Sequence, residues 1–93
     1  MSITLKLPMG LHEIIGPQRE FEIKAETVRR AIRILNESYP GIYNEFFDDK
    51  DRWDRRFIIF VNNKTPTRDG IKAEEVRLSA GDRVAIIYAV SGG

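Results

Sequence analysis

Cysteine is missing from this chain of 93 residues. Its absence excludes a disulfide scaffold, a thiolate metal site, a dithiol redox pair and a cysteine nucleophile. A strong charge of either sign is missing too. The formal net charge is +1, so there is no basic field to hold a nucleic acid backbone and no acidic tail to mimic one. No apolar stretch approaches the length that crosses a membrane, and the start, Met1-Ser2-Ile3-Thr4-Leu5-Lys6, lacks the basic cluster and long apolar run of a secretion signal. The expected address is the cytoplasm. No internal repeat or low-complexity segment is visible. Size is short as well: 93 residues make one domain, 1–93, with too little material to enclose a deep substrate pocket beside a core. That favours a binding or carrier module over an enzyme.

What is present is enough for a modest core, with 42% apolar and 31% charged residues. Ile3, Leu5 and Leu7 alternate with Thr4 and Lys6, a first strand that Pro8 closes. Residues Met9 to Pro17 read as a connecting loop. Phe21 and Ile23 alternate with Glu20, Glu22 and Lys24, a second strand with one apolar and one charged face. The period changes at Thr27, a candidate N-cap, because Val28, Ala31, Ile32 and Leu35 fall on one stripe of an α-helix. Tyr39-Pro40-Gly41 stops that helix, since the residue before proline is pushed out of the helical region. Ile42, Tyr43, Phe46 and Phe47 suit one or two further helical turns. Asp48 to Arg56 reads as a charged solvent loop carrying Trp53.

Phe57 to Val61 is a third strand and Asn62-Asn63 a tight turn, because asparagine tolerates positive φ. Lys64 and Thr65 suit a short return strand ended by Pro66. Thr67 to Glu75 looks irregular, and Val84 to Val90 is a last strand. A hairpin, one crossing helix and later strands returning to the same sheet define an α+β class. The layout is that of a β-grasp domain, a mixed sheet with one main helix packed on one face.

The third and last strands are continuous apolar runs, a pattern expected where both faces are covered. One helix covers only one face of a small sheet. Val84, Ile86 and Tyr88 can pack beneath it, which leaves Ile87 and either Ile58 or Phe60 on the open face. A contiguous exposed apolar patch marks a partner surface. The alternative is that the segment from Tyr43 to Trp53 folds back over it.

The last strand runs into Ala89-Val90-Ser91-Gly92-Gly93. A carboxylate on Gly93, with pKa about 3.3–3.7, is ionised at neutral pH and can attack the α-phosphate of a nucleotide. Glycine lacks Cβ, so such a tail can thread a narrow channel. Residues 89–93 read as a flexible functional tail reaching roughly 17 Å when extended.

Several segments resemble the MoaD/ThiS sulfur carriers, which are ubiquitin-like proteins: Thr27-Val28 opening the helix, Tyr39-Pro40-Gly41 closing it, Phe60-Val61-Asn62 before the hairpin turn, Leu78 with Gly81-Asp82-Arg83-Val84, and the ending Ala89-Val90-Ser91-Gly92-Gly93. Many members carry Asn-Gly where this chain has Asn62-Asn63. The resemblance implies a carrier, not an enzyme, in which an adenylyltransferase of the ubiquitin-activating type adenylates Gly93. A sulfur donor, either a sulfurtransferase or a cysteine desulfurase, then converts it to a thiocarboxylate. The acceptor it implies is a synthase such as the molybdopterin synthase large subunit. Extra length around Gly41 to Arg56 and Thr67 to Val76 points to the molybdopterin-type or cysteine-biosynthesis-type branches, with thiamin and tRNA thiolation as further routes. Conjugation through Gly93 to other proteins is a second role. The resemblance also implies that Ile87, Ile58, Phe60, Ala89, Val90 and Ser91 contact partners. The chain itself lacks a glycine-rich phosphate loop, so no cofactor is expected on it and ATP would bind the activating partner.

Other groups carry less. His12 has no acidic or cysteine partner at ligand spacing, and no metal site is expected. Arg29, Arg30 and Arg33 read as the solvated side of the helix. Glu74-Glu75 and Asp48-Asp49 read as solvated loop carboxylates.

Overall fold

The computed structural model describes residues 2–66 and 70–89. Four strands form one mixed sheet in the order β2-β1-β4-β3, with β1 at Ile3–Lys6, β2 at Glu20–Ile23, β3 at Phe57–Val61 and β4 at Arg83–Tyr88. β1 pairs antiparallel with β2, Ile3 opposite Ile23 and Leu5 opposite Phe21, and parallel with β4, Leu5 beside Val84. β3 pairs antiparallel with β4, Ile59 opposite Ile86. This register puts Ile3, Leu5, Phe21, Ile23, Phe57, Ile59, Val84 and Ile86 on one face, and all eight are buried. The period of two in the sequence of β1 and β2 is thereby satisfied.

Helix α2, Val28–Ser38, lies on that face with Val28, Ala31, Ile32 and Leu35 turned inward. Thr27 caps it as expected, its Oγ1 accepting from the Arg30 amide at 3.1 Å. The helix stops at Tyr39, and Gly41 adopts φ 103°, a left-handed conformation that favours glycine. The Asn36 side-chain oxygen accepts from the amides of Gly41 and Tyr43, both at 3.0 Å, and so fixes the angle at which α3, Ile42–Phe46, sets off.

Four expectations about secondary structure need correction. Met9 to Pro17 is not wholly loop: α1, His12–Ile15, is a single helical turn that buries Ile15, with Leu11 buried just before it. Lys64 makes only an isolated bridge to Val61, not a return strand. Within the stretch read as irregular, Ala73–Glu75 is a 3₁₀ turn, while Thr67 to Asp69 lie outside the described residues. The last strand ends at Tyr88, and Ala89 is not part of it. The hairpin turn is as expected: Asn62 and Asn63 have φ 52° and 68°, the two-positive-φ geometry that matches strand twist.

The segment from Asp48 to Arg56 is held on the helix side. Trp53 is half-buried, its ring stacked on Phe46 at 5.8 Å between centroids and edge-on to Phe47 at 5.3 Å, with its indole N–H donating to the Phe57 carbonyl at 2.9 Å. Arg30 and Arg33 of α2 are exposed as expected, but Arg29 is half-buried against this cluster, and Arg33 also reaches it. The Arg29 guanidinium lies 4.5 Å from the Phe47 ring centre, donates to the Tyr43 hydroxyl at 2.8 Å and pairs with Glu75. Arg33 sits 5.2 Å from the centre of the Tyr43 ring. Burial pulls the Arg29 pKa down, but the hydrogen bonds and charges of Glu75 and Tyr43 outweigh it and raise it above its ordinary value. Glu74, expected in solvent, is 4% exposed.

Candidate functional site: an apolar half-face beside the tail

The opposite face of the sheet carries the other parity of each strand, and it divides in two. Over β3 and β4 it is apolar: Ile58 stands opposite Ile87 and Phe60 opposite Ala85. Over β1 and β2 it is polar, with Thr4 beside Glu22 and Lys6 beside Glu20. Arg83 bridges the polar half, its guanidinium 3.4 Å from the Glu20 carboxylate. The question of which parity of 57–61 faces outward is therefore answered: Ile58 and Phe60 both do, since they lie two residues apart on one strand. Both are half-buried and Ile87 is 42% exposed.

The alternative cover for this patch does not form. The segment from Tyr43 to Trp53 packs against Phe46 and Phe57, whose side chains belong to the helix-side core. In the apolar half Ile58, Phe60 and Ala85 are half-buried and Ile87 is exposed. Tyr88 corrects the sequence reading. Although it shares the parity of Val84 and Ile86, it is 45% exposed, because it stands at the strand end, where it meets the Phe57 ring, 4.9 Å away, and the turn at Gly10. Gly10 adopts φ 93°, and a Cβ there would come within 3.6 Å of the Tyr88 hydroxyl.

β4 hands the chain to Ala89, which is exposed and whose amide donates to the Arg56 carbonyl at 2.7 Å. Arg56 is itself held. It donates through Nε and Nη2 to Asp54 at 3.1 and 2.8 Å, and its guanidinium lies 5.5 Å from the Phe57 ring centre. The hydrogen bonds from Arg56 hold the Asp54 carboxyl below the usual carboxylate range, and those from Asp54 raise the Arg56 pKa. The root of the tail is thus fixed by a backbone bond next to an ordered ion pair. Val90, Ser91, Gly92 and Gly93 lie outside the described residues.

The groups set aside earlier do not gather here. His12 is exposed on α1, and among the described residues no three His, Cys, Asp or Glu side chains gather closely enough to hold a metal ion. Sequence reasoning missed Met9, placed in a connecting loop, which is 69% exposed near the end of β4. Its only sequence signal was a large apolar residue next to Pro8.

A small mixed sheet in the order β2-β1-β4-β3 with one main helix packed on one face defines a ubiquitin-like β-grasp fold. The family is shown by comparison with known proteins: residues 5–93 match the ThiS family model, and the chain belongs to the ThiS family. It is therefore a sulfur-carrier-type protein and not an enzyme. Sulfur carrier protein CysO of Mycobacterium tuberculosis is 30% identical over 95 residues, with the whole of both chains covered. Among solved structures, the Amycolatopsis orientalis BexX/CysO complex contains a chain of TM-score 0.78 at 24% identity, covering 98% of this chain and 99% of that one. The small archaeal modifier SAMP1 of Haloferax volcanii gives 0.75 at 24% identity, with both chains fully covered. At this identity the two structures speak for the fold.

Proposed function

We propose that this chain carries sulfur as a thiocarboxylate on Gly93. The apolar half-face of Ile58, Phe60, Ala85 and Ile87 docks the chain on its partners, and Ala89, Val90 and Ser91 guide the tail into their active sites. The observation that carries the reading is the placement of this patch on β4, the strand that leads into the tail. A partner that covers Ile87 also receives the chain end. Family membership and the 30% identity to a protein named as a sulfur carrier support the cargo.

In the proposed cycle a Gly93 carboxylate oxygen attacks the α-phosphorus of ATP held by an activating enzyme, and pyrophosphate leaves. The terminal sulfur of a persulfide on a donor protein then attacks the acyl carbon and AMP leaves. A thiol of the donor protein attacks the donor-side sulfur of the resulting acyl disulfide, which frees the thiocarboxylate and leaves a disulfide on the donor. Gly92 has no Cβ to obstruct the approach to the acyl carbon. The sulfur passes to a biosynthetic synthase, in the cytoplasm. The acceptor is a synthase of the molybdopterin or cysteine-biosynthesis type, with the 30% identity to a sulfur carrier named CysO favouring the second.

The test is intact-mass measurement of the chain incubated with ATP, its genome's activating enzyme and a sulfur donor. The expected product has one terminal oxygen replaced by sulfur, and none forms once Gly93 is deleted. An unmodified terminus under these conditions sinks the reading. Higher-mass adducts on other proteins that need Gly93 would assign the chain to protein modification instead.

A further inference from the structure

Three of the four large exposed apolar side chains among the described residues, Met9, Ile87 and Tyr88, line a single cleft of about 310 Å³. The cleft has a simple origin. The β1–β4 ladder ends at Lys6 beside Ala85. Two residues on, Pro8 has no N–H to continue it, while β4 runs on to Tyr88. The end of β4 is therefore left uncovered on its β1 side, and Pro8 and Met9 form the opposite wall. Every charged residue lining the cleft is a cation. Lys6 is exposed, and Arg19 is anchored by a 3.3 Å hydrogen bond from its Nε to the Leu7 carbonyl. Neither forms an ion pair among the described residues.

We infer that this cleft is the charge-reading end of the docking surface: it receives an apolar side chain of the activating enzyme flanked by carboxylates. The apolar floor fits the side chain, and the two cations supply attraction and register at the rim. Ile87 belongs both to the cleft and to the apolar half-face, so the two form one continuous surface. The identity of the partner rests on the sulfur-carrier reading. The chemistry of the occupant rests on the cleft alone. Lys6 is shared with the polar half, where it stands opposite Glu20, but the Glu20 carboxylate pairs with Arg83 and is not part of the cleft lining.

The experiment measures adenylation of the full chain by its genome's activating enzyme, as pyrophosphate release at varied carrier concentration. The Lys6→Glu/Arg19→Glu variant is expected to raise KM about tenfold or more with kcat little changed. Met9→Asp is expected to act in the same direction, and Lys64→Glu, a charge reversal on the hairpin, to leave KM unchanged. Raising salt from about 50 to about 300 mM should raise the KM of the parent chain several-fold and that of the double variant hardly at all. Arg19→Gln, which removes the charge without reversing it, should give an intermediate KM; circular dichroism confirms that each variant is folded. A folded double variant with the parent KM overturns the inference while leaving the carrier reading standing. Failure of the parent chain to be adenylated overturns the carrier reading and the partner assignment with it. Self-association of the parent chain that the double reversal abolishes, with adenylation unaffected, assigns the cleft to a second copy and overturns the inference.

Discussion

Replacing Ile87 separates docking from folding, because its side chain is divided between the two. With 42% of its surface exposed, the remainder is already covered within the fold. Complete burial of an isoleucine contributes about 2.5 kcal/mol, so the part that docking newly covers is worth about 1 kcal/mol. Ile87→Ala should weaken partner binding about fivefold. Ile87→Asp loses the same contact and also puts a carboxylate in the apolar contact that docking must desolvate, for a total of about 3–4 kcal/mol and a loss of more than about 100-fold. Titration calorimetry against the activating enzyme reads the affinity, and a thermal melt reads the fold. Ile71 is the control. It is 47% exposed but lies outside the four strands, on the connection between the hairpin and the 3₁₀ turn, so Ile71→Asp should leave affinity unchanged. A folded Ile87→Asp chain that binds as well as the parent would refute the docking argument, and so would equal losses at Ile71 and Ile87.

Three further outcomes follow from local geometry. Thr27→Ala removes the oxygen that caps the Arg30 amide and should cost about 1 kcal/mol in urea unfolding. Asn63→Gly relieves a positive φ of 68° and should stabilise the hairpin by about 0.5–1 kcal/mol, read as a raised melting temperature. Acid should destabilise the chain in a defined window. The carboxyls of Asp48, hydrogen-bonded by the Arg52 and Lys50 amides, and of Asp54, hydrogen-bonded by Arg56, lie below their ordinary 3.8 in the fold. The unfolded chain therefore binds protons first, and their contribution is complete above the ordinary carboxylate range and lost as pH falls below 3.8. Asp48→Asn/Asp54→Asn should flatten that slope, measured as unfolding free energy against pH.

Elements with a long enough pattern were legible in the sequence. The stripe of Val28, Ala31, Ile32 and Leu35, the alternation in β1 and β2 and the Asn62-Asn63 turn each state their geometry locally. α1 escaped because one helical turn leaves a single i, i+4 pair, Leu11 and Ile15, which a loop supplies equally well. Phe57-Ile58-Ile59-Phe60-Val61 is apolar at every position, so its outward parity depends on pairing with β4, a contact between distant residues. The same dependence hid Tyr88, whose parity is right for the core but whose position lies at the end of the strand. Arg29 and Arg33 show why a helical wheel alone misleads. They point away from the sheet, yet α3 brings Tyr43 and Phe47 to them. Of the candidate site, the docking patch was legible in type and half-resolved in identity. The cleft at Met9 was not legible, since it exists only because β4 outruns β1.

The bond from the Ala89 amide to the Arg56 carbonyl sets a length. It holds Ala89 to the fold, so the span from Ala89 to Gly93 is at most about 13 Å, four residues at about 3.3 Å each, not the 17 Å that five free residues would allow. On the proposed role this makes the fold a gauge. Any enzyme that acts on Gly93 must bring its reacting atom within that radius of Ala89 while it covers Ile87. Partners of different shape are thereby held to one common depth of active site, set by a single backbone hydrogen bond.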